Sequence, residues 1–176
     1  MSGSDSSSEN KPMTASAAGD RESDPRLEAA QKRLRESVGQ ADALDAIREI
    51  VTNLLGCEEI GLFDVEQGKS GLLWSFGIDP QQHGTLDTFD TSALQCVLRG
   101  EYHIAQVAHE GQNHRAEPAL RVFVPICLNG NTVAVLVMLK LLPQKLGFDE
   151  ADIKLVKLLS RETGRALFER SARAKA

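Results

Sequence analysis

Apolar residues enter this chain only after a long polar stretch, and the period at which they recur changes from segment to segment. Residues 1–24 are dominated by Ser, Gly, Asp, Glu, Asn and Ala without apolar periodicity, so they are expected to form a disordered tail. Over 25–39, Leu27, Ala30, Leu34 and Val38 recur at spacings of three and four, with Asp24 placed to cap and Pro25 in the first turn. This predicts an amphipathic helix with one narrow apolar stripe, suited to a partner helix. From Asp42, a second candidate cap, Leu44, Ile47, Val51 and Leu54 continue the helical spacing, and Ile50 and Leu55 widen the face. Gly56 then stands where a left-handed residue can end the helix.

Strand patterns follow. Two short apolar runs, 60–65 and 72–78, flank the turn-rich stretch 66–71 and read as a hairpin. Residues 79–90 are polar and read as a loop, and Thr91 caps a short helix carrying Leu94, Val97 and Leu98 as far as Gly100. After a short strand at 102–107, residues 108–119 with Gly111 and Pro118 read as irregular and long enough to serve as a lid or binding loop. The runs 122–128 and 132–142 are nearly continuous and β-branched, joined by Asn129-Gly130, the dipeptide suited to a type I′ turn. Their lack of alternation predicts central strands buried on both faces. Pro125 inside the first run cannot donate a ladder hydrogen bond and calls for a bulge or a free edge.

The last helix starts at Asp149 as cap, with Phe148 and Ile153 placed as a hydrophobic staple. Ile153, Val156, Leu159, Thr163, Ala166 and Leu167 make one face, broadened by Leu155 and Leu158. Gly164 lies in the helix interior, where close backbone packing would explain it.

At 176 residues one domain is expected, and 41% hydrophobic with 26% charged residues is the balance of an ordinary globular chain. Aromatic residues are only 5%, which makes the core aliphatic. A net charge of -5 argues against a nucleic-acid partner, because phosphate backbones require a concentrated basic surface. The start has no basic and apolar signal pattern, and no apolar run is long enough for a membrane span, so a cytoplasmic protein without membrane partners is expected. Cys57, Cys96 and Cys127 are widely spaced with no CxxC pair, which disfavours zinc and disulfide frameworks and reads as small buried hydrophobes.

With this element order the chain resembles a GAF domain over roughly residues 44–170. The resemblance is carried by Phe123-Val124-Pro125-Ile126, Asn129-Gly130, the strand Val133-Ala134-Val135-Leu136-Val137 and Phe148-Asp149-Glu150-Ala151-Asp152. It implies an α/β (α+β), profilin-like fold: a central antiparallel sheet of five to six strands, the N- and C-terminal helices on one face and a small-molecule pocket on the other. The expected organisation is a tail at 1–24, an amphipathic helix at 25–39, a GAF-like domain at 40–171 and a disordered end at 172–176. GAF domains bind cyclic nucleotides, tetrapyrroles, haem, small metabolites or nothing, and commonly dimerise through their terminal helices. The implied function is a non-catalytic regulatory or sensory module, homodimeric, that binds a small molecule or a protein partner. Because the chain leaves no room for an attached output domain, signalling in trans to a separate output protein is expected. The alternatives are a scaffold without ligand and a thiol-dependent methionine sulfoxide reductase.

Candidate residues follow from pattern and resemblance together. Leu27, Leu34 and Val38 of the first helix and Leu155, Leu159 and Ala166 of the last are the expected dimer interface. Trp74 and Phe76 share a strand face by the period of two, and Tyr102, His103 and Phe123 complete the expected ligand site, although aromatics at strand spacing are more often simply core. No cysteine precedes a histidine, which disfavours covalent bilin attachment. Of the cyclic-nucleotide signature only Phe148-Asp149-Glu150 is present, and those residues already have a capping explanation. Cys96 lies in the third of the chain where the reductases carry nucleophiles, but Arg99 is its one cationic neighbour in sequence. His103, His109 and His114 are six and five apart, which places no two on one face, so no metal site is expected and the cofactor is left unassigned.

Overall fold

Local capping chemistry sets most element boundaries. In the structure, a computed structural model that describes residues 23–65, 71–110, 116–145 and 147–169, the first helix α1 (Pro25–Glu36) is capped by Asp24, whose carboxylate accepts the Arg26 N–H at 2.9 Å. Helix α2 (Gly39–Glu49) starts three residues before the expected Asp42, because Asp42 instead accepts the backbone N–H of Val38 at 2.8 Å and the Arg33 guanidinium of α1 at 2.8 Å. Its last turn, Ile50–Leu54, widens to a π-type turn, and Gly56 follows at φ +69°. The tail at 1–22, the turn at 66–70 and the end at 172–176 lie outside the described residues.

Five strands form one antiparallel sheet in the order β2-β1-β5-β4-β3: β1 (Cys57–Asp64), β2 (Leu72–Phe76), β3 (His103–Glu110), β4 (Ala116–Leu128) and β5 (Asn131–Leu141). The Asn129-Gly130 turn between β4 and β5 has both residues at positive φ, +51° and +80°, as a type I′ turn requires. Pro125 pairs with Val135, while β3 ends opposite Phe123, so β4 has a neighbour on one side only at the proline.

The expected irregular segment at 108–119 is corrected. β3 and β4 continue in register through Ala108↔Pro118 to Glu110↔Ala116, leaving 111–115 outside the described residues. Pro118 is tolerated there because the pairing of β4 with β5 ends at Val122↔Met138, which leaves that stretch of β4 a free edge on the side away from β3.

Alternation on the central strands separates two cores. Val122, Val124 and Ile126 of β4 and Ala134, Leu136 and Met138 of β5 face α1, α2 and α4 (Glu150–Gly164, continued by a π-type turn Arg165–Glu169). Phe123, Val135, Val137 and Leu139 face the other way, onto a 3-10 turn at Leu86–Thr88 and α3 (Thr91–Leu98), whose cap is Asp90 and not the expected Thr91. Helix α4 begins in a capping box: Asp149 accepts the Asp152 N–H at 2.8 Å and Asp152 accepts the Asp149 N–H at 3.0 Å. The buried Asp152 carboxylate also meets Lys145 at 2.9 Å and Arg26 at 3.8 Å, tying α4 to α1 and to the loop before it.

This packing places the six side chains expected at a dimer interface. Leu34, Leu155, Leu159 and Ala166 are at most 2% exposed, because α1 and α4 lie against each other and the sheet and use these side chains in the chain's own core. Leu27 is half-buried against the same core, and Val38 alone of the six is fully exposed.

Candidate functional site

The five residues expected to line a ligand site do not converge. Trp74 and Phe76 share a face of β2, as their spacing predicts, but it is the helical face: Trp74 packs on the helix-side core and the Arg48 guanidinium of α2 lies 5.7 Å from the Phe76 ring. Tyr102 packs on that side as well. Phe123 faces the opposite core, with the His103 ring 6.3 Å away. The sheet itself separates the set, because positions that looked alike in sequence fall on opposite sides of the pleat.

On the face away from the terminal helices, aromatic rings fill the space under α3. Phe89 lies edge-on to Phe63 at 5.7 Å and to Phe123 at 5.6 Å, and His83 stacks on it at 5.2 Å. Phe63 and Phe123 are essentially inaccessible, and Ile78, Leu86, Val97 and Leu139 complete the layer. Nothing in the strand patterns marks Phe89 or His83, since both come from a segment that reads as polar loop.

The helical side carries a cavity of about 460 Å³ at its rim. A complete Schellman turn builds one wall: Gly100, at φ +84°, donates to the Val97 carbonyl and Glu101 donates to the Cys96 carbonyl, which swings Glu101 and Tyr102 toward α4. Leu27 of α1 supplies an apolar side, and Lys154, Lys157, Ser160 and Arg161 of α4 line the other. Ser160 is occupied, its hydroxyl donating to the Pro125 carbonyl. Of the expected ligand residues only Tyr102 lines this cavity. The missed signal is the polar face of α4, where Lys154, Lys157 and Arg161 recur at helical spacings of three and four.

The thiols stand apart. Cys57 opens β1, buried, with its Sγ 3.3 Å from the Glu59 carbonyl, and burial pushes its thiol above the usual range. Cys96 is half-buried on α3 with the Arg99 guanidinium 3.6 Å from its Sγ. Cys127, next to the last residue of β4, has its Sγ 3.8 Å from the Ser160 hydroxyl. Among the described residues no three His, Cys, Asp or Glu side chains come together as metal ligands, and no helix is long and apolar enough to cross a membrane. His114 lies outside the described residues.

The GAF domain family model matches residues 37–167, well over half of the chain. Among solved structures, the chain is similar to the GAF domain of a phosphoenolpyruvate-protein phosphotransferase from Acinetobacter, with TM-score 0.61 and 18% identity over 84% of this chain and 93% of that one. It is similar to free methionine-R-sulfoxide reductase from Neisseria meningitidis, solved with its substrate, with TM-score 0.59 and 17% identity over 84% and 89% of the two chains. A phycoerythrobilin-bound GAF domain from a cyanobacterial phytochrome superposes with TM-score 0.58 and 12% identity over 85% and 98%. At these identities the likeness is one of fold. No curated protein matches this chain.

Proposed function

The chain belongs to the GAF domain family, a regulatory and sensory fold, and from that membership we propose that it is a non-catalytic regulatory module that binds a small molecule or a protein partner. The observation that carries the non-catalytic reading is the separation of the thiols. Cys57, Cys96 and Cys127 sit on β1, α3 and β4, and among the described residues their side-chain hydrogen-bond partners are a carbonyl, a guanidinium or a hydroxyl, not a second sulfur or an imidazole. A reductase that recycles through a second protein thiol needs an activated thiolate within reach of it, and no such pair is present among the described residues. The face of the sheet away from the terminal helices, closed by Phe63, Phe89 and Phe123, supports the same reading.

The test is an assay of the purified protein for reduction of free methionine-R-sulfoxide with dithiothreitol as donor. No turnover above the donor alone is expected. A second reading, the reductase, is favoured by the half-buried Cys96 thiol with the Arg99 guanidinium beside it, together with the likeness of fold to free methionine-R-sulfoxide reductase. Turnover that disappears in Cys96→Ser would establish that reading in place of the first.

A further inference from the structure

We propose that the cavity between α1, the Gly100–Tyr102 turn and α4 is a binding site for a small organic anion, a phosphate or carboxylate head group on an apolar body. Its volume, about 460 Å³, lies in the range of small-molecule sites. Its chemistry is divided: Leu27 and Tyr102 offer apolar and aromatic surface, and Lys154, Lys157 and Arg161 line the side formed by α4.

Three cations without an acidic partner among the described residues gather on this one wall. Elsewhere Arg26, Lys32, Arg33, Arg48, Arg99, Lys140 and Lys145 each stand within 4 Å of a carboxylate, while Arg121 on β4 and Arg165 past the end of α4 stand singly outside the cavity wall. Among the described residues no carboxylate comes within that distance of Lys154, Lys157 or Arg161. Lys157 and Arg161 are like charges at i and i+4, an arrangement that weakens a helix unless an anion sits between them. The negative end of the helix favours Arg161, near the C-terminus, but gives no such support to Lys154 in the second turn. Glu101, the one acid in the cavity wall, is turned to Arg99 at 3.7 Å. The chain as a whole is acidic, so this basic stripe is local.

The site deepens the regulatory reading, on which it rests only for its purpose. Reductase turnover would overturn that reading and leave the occupancy of the cavity as it is. The test is a titration of the isotope-labelled full chain with phenyl phosphate, followed by backbone amide shifts. Shifts confined to Glu101, Tyr102 and residues 154–161, with a dissociation constant below about 1 mM, are expected. The exposed pair Lys157→Gln with Arg161→Gln should weaken binding at least about tenfold while far-UV circular dichroism stays unchanged. Tyr102→Ala should weaken phenyl phosphate and leave inorganic phosphate unaffected. The proposal is overturned by no binding, by shifts at Phe89 or Phe123, or by undiminished binding in the double variant. It is equally overturned if phenol or inorganic phosphate binds as tightly as phenyl phosphate, or if only an acidic peptide shifts these amides.

Discussion

Gly164 shows how a single position joins sequence to packing. A Cβ built there would lie 2.3 Å from the Cys127 carbonyl oxygen, so α4 rests backbone to backbone on the end of β4. Gly164→Ala gains about 1 kcal/mol of helix propensity but must displace main chain, and a net loss of about 1–3 kcal/mol is expected in urea unfolding. A glycine inside a helix was legible as a close approach; the strand it approaches was not, because that partner is far away in sequence. At the other end of α4 the backbone N–H of Asp152 holds the Asp149 carboxyl below the usual carboxylate range, and hydrogen bonds from Arg33 and Ser92 do the same for Asp42 and Asp90. A depressed folded-state pKa contributes stability that is present above the unfolded value, about 4, and is lost as pH falls through the folded one. Urea midpoints should therefore fall on acidification below about pH 4, and Asp149→Asn should flatten part of that slope.

At the scale of elements, helix boundaries and the β4–β5 hairpin follow from local chemistry, since caps, turns and periodicity need only neighbours in sequence. The segment from Gly77 to Asp90 resisted such reading. Its polar surface hides Ile78, Leu86 and Phe89, each less than a tenth exposed, which cover the outer face of the sheet. Phe89→Ala removes the ring that bridges Phe63 and Phe123 and should cost about 3–5 kcal/mol, measured by chemical denaturation. The strands β3 and β4 likewise outrun the sequence reading, because Gly and Pro near residues 111 and 118 signal irregular chain unless one knows that β4 has a free edge there.

For the whole molecule, the amphipathic ends of the chain spend most of their apolar surface within the chain itself. A helix with an apolar face wants a partner, and here α1, α2 and α4 find it in one another and in the sheet. Size-exclusion chromatography with light scattering at micromolar concentrations should give the mass of one chain, and a concentration-dependent dimer would revive the terminal-helix interface. Val38, exposed alone, is no interface by itself. By itself the sequence determined the period, the caps and the two-sided burial of the central strands, and with them the family, because these are set by neighbouring residues and by alternation. Only the tertiary structure decided which face each aromatic serves and which helix faces are spent internally. It alone brought Leu27, Tyr102 and the α4 cations around one cavity, since those contacts join residues more than fifty positions apart, and no local pattern encodes them.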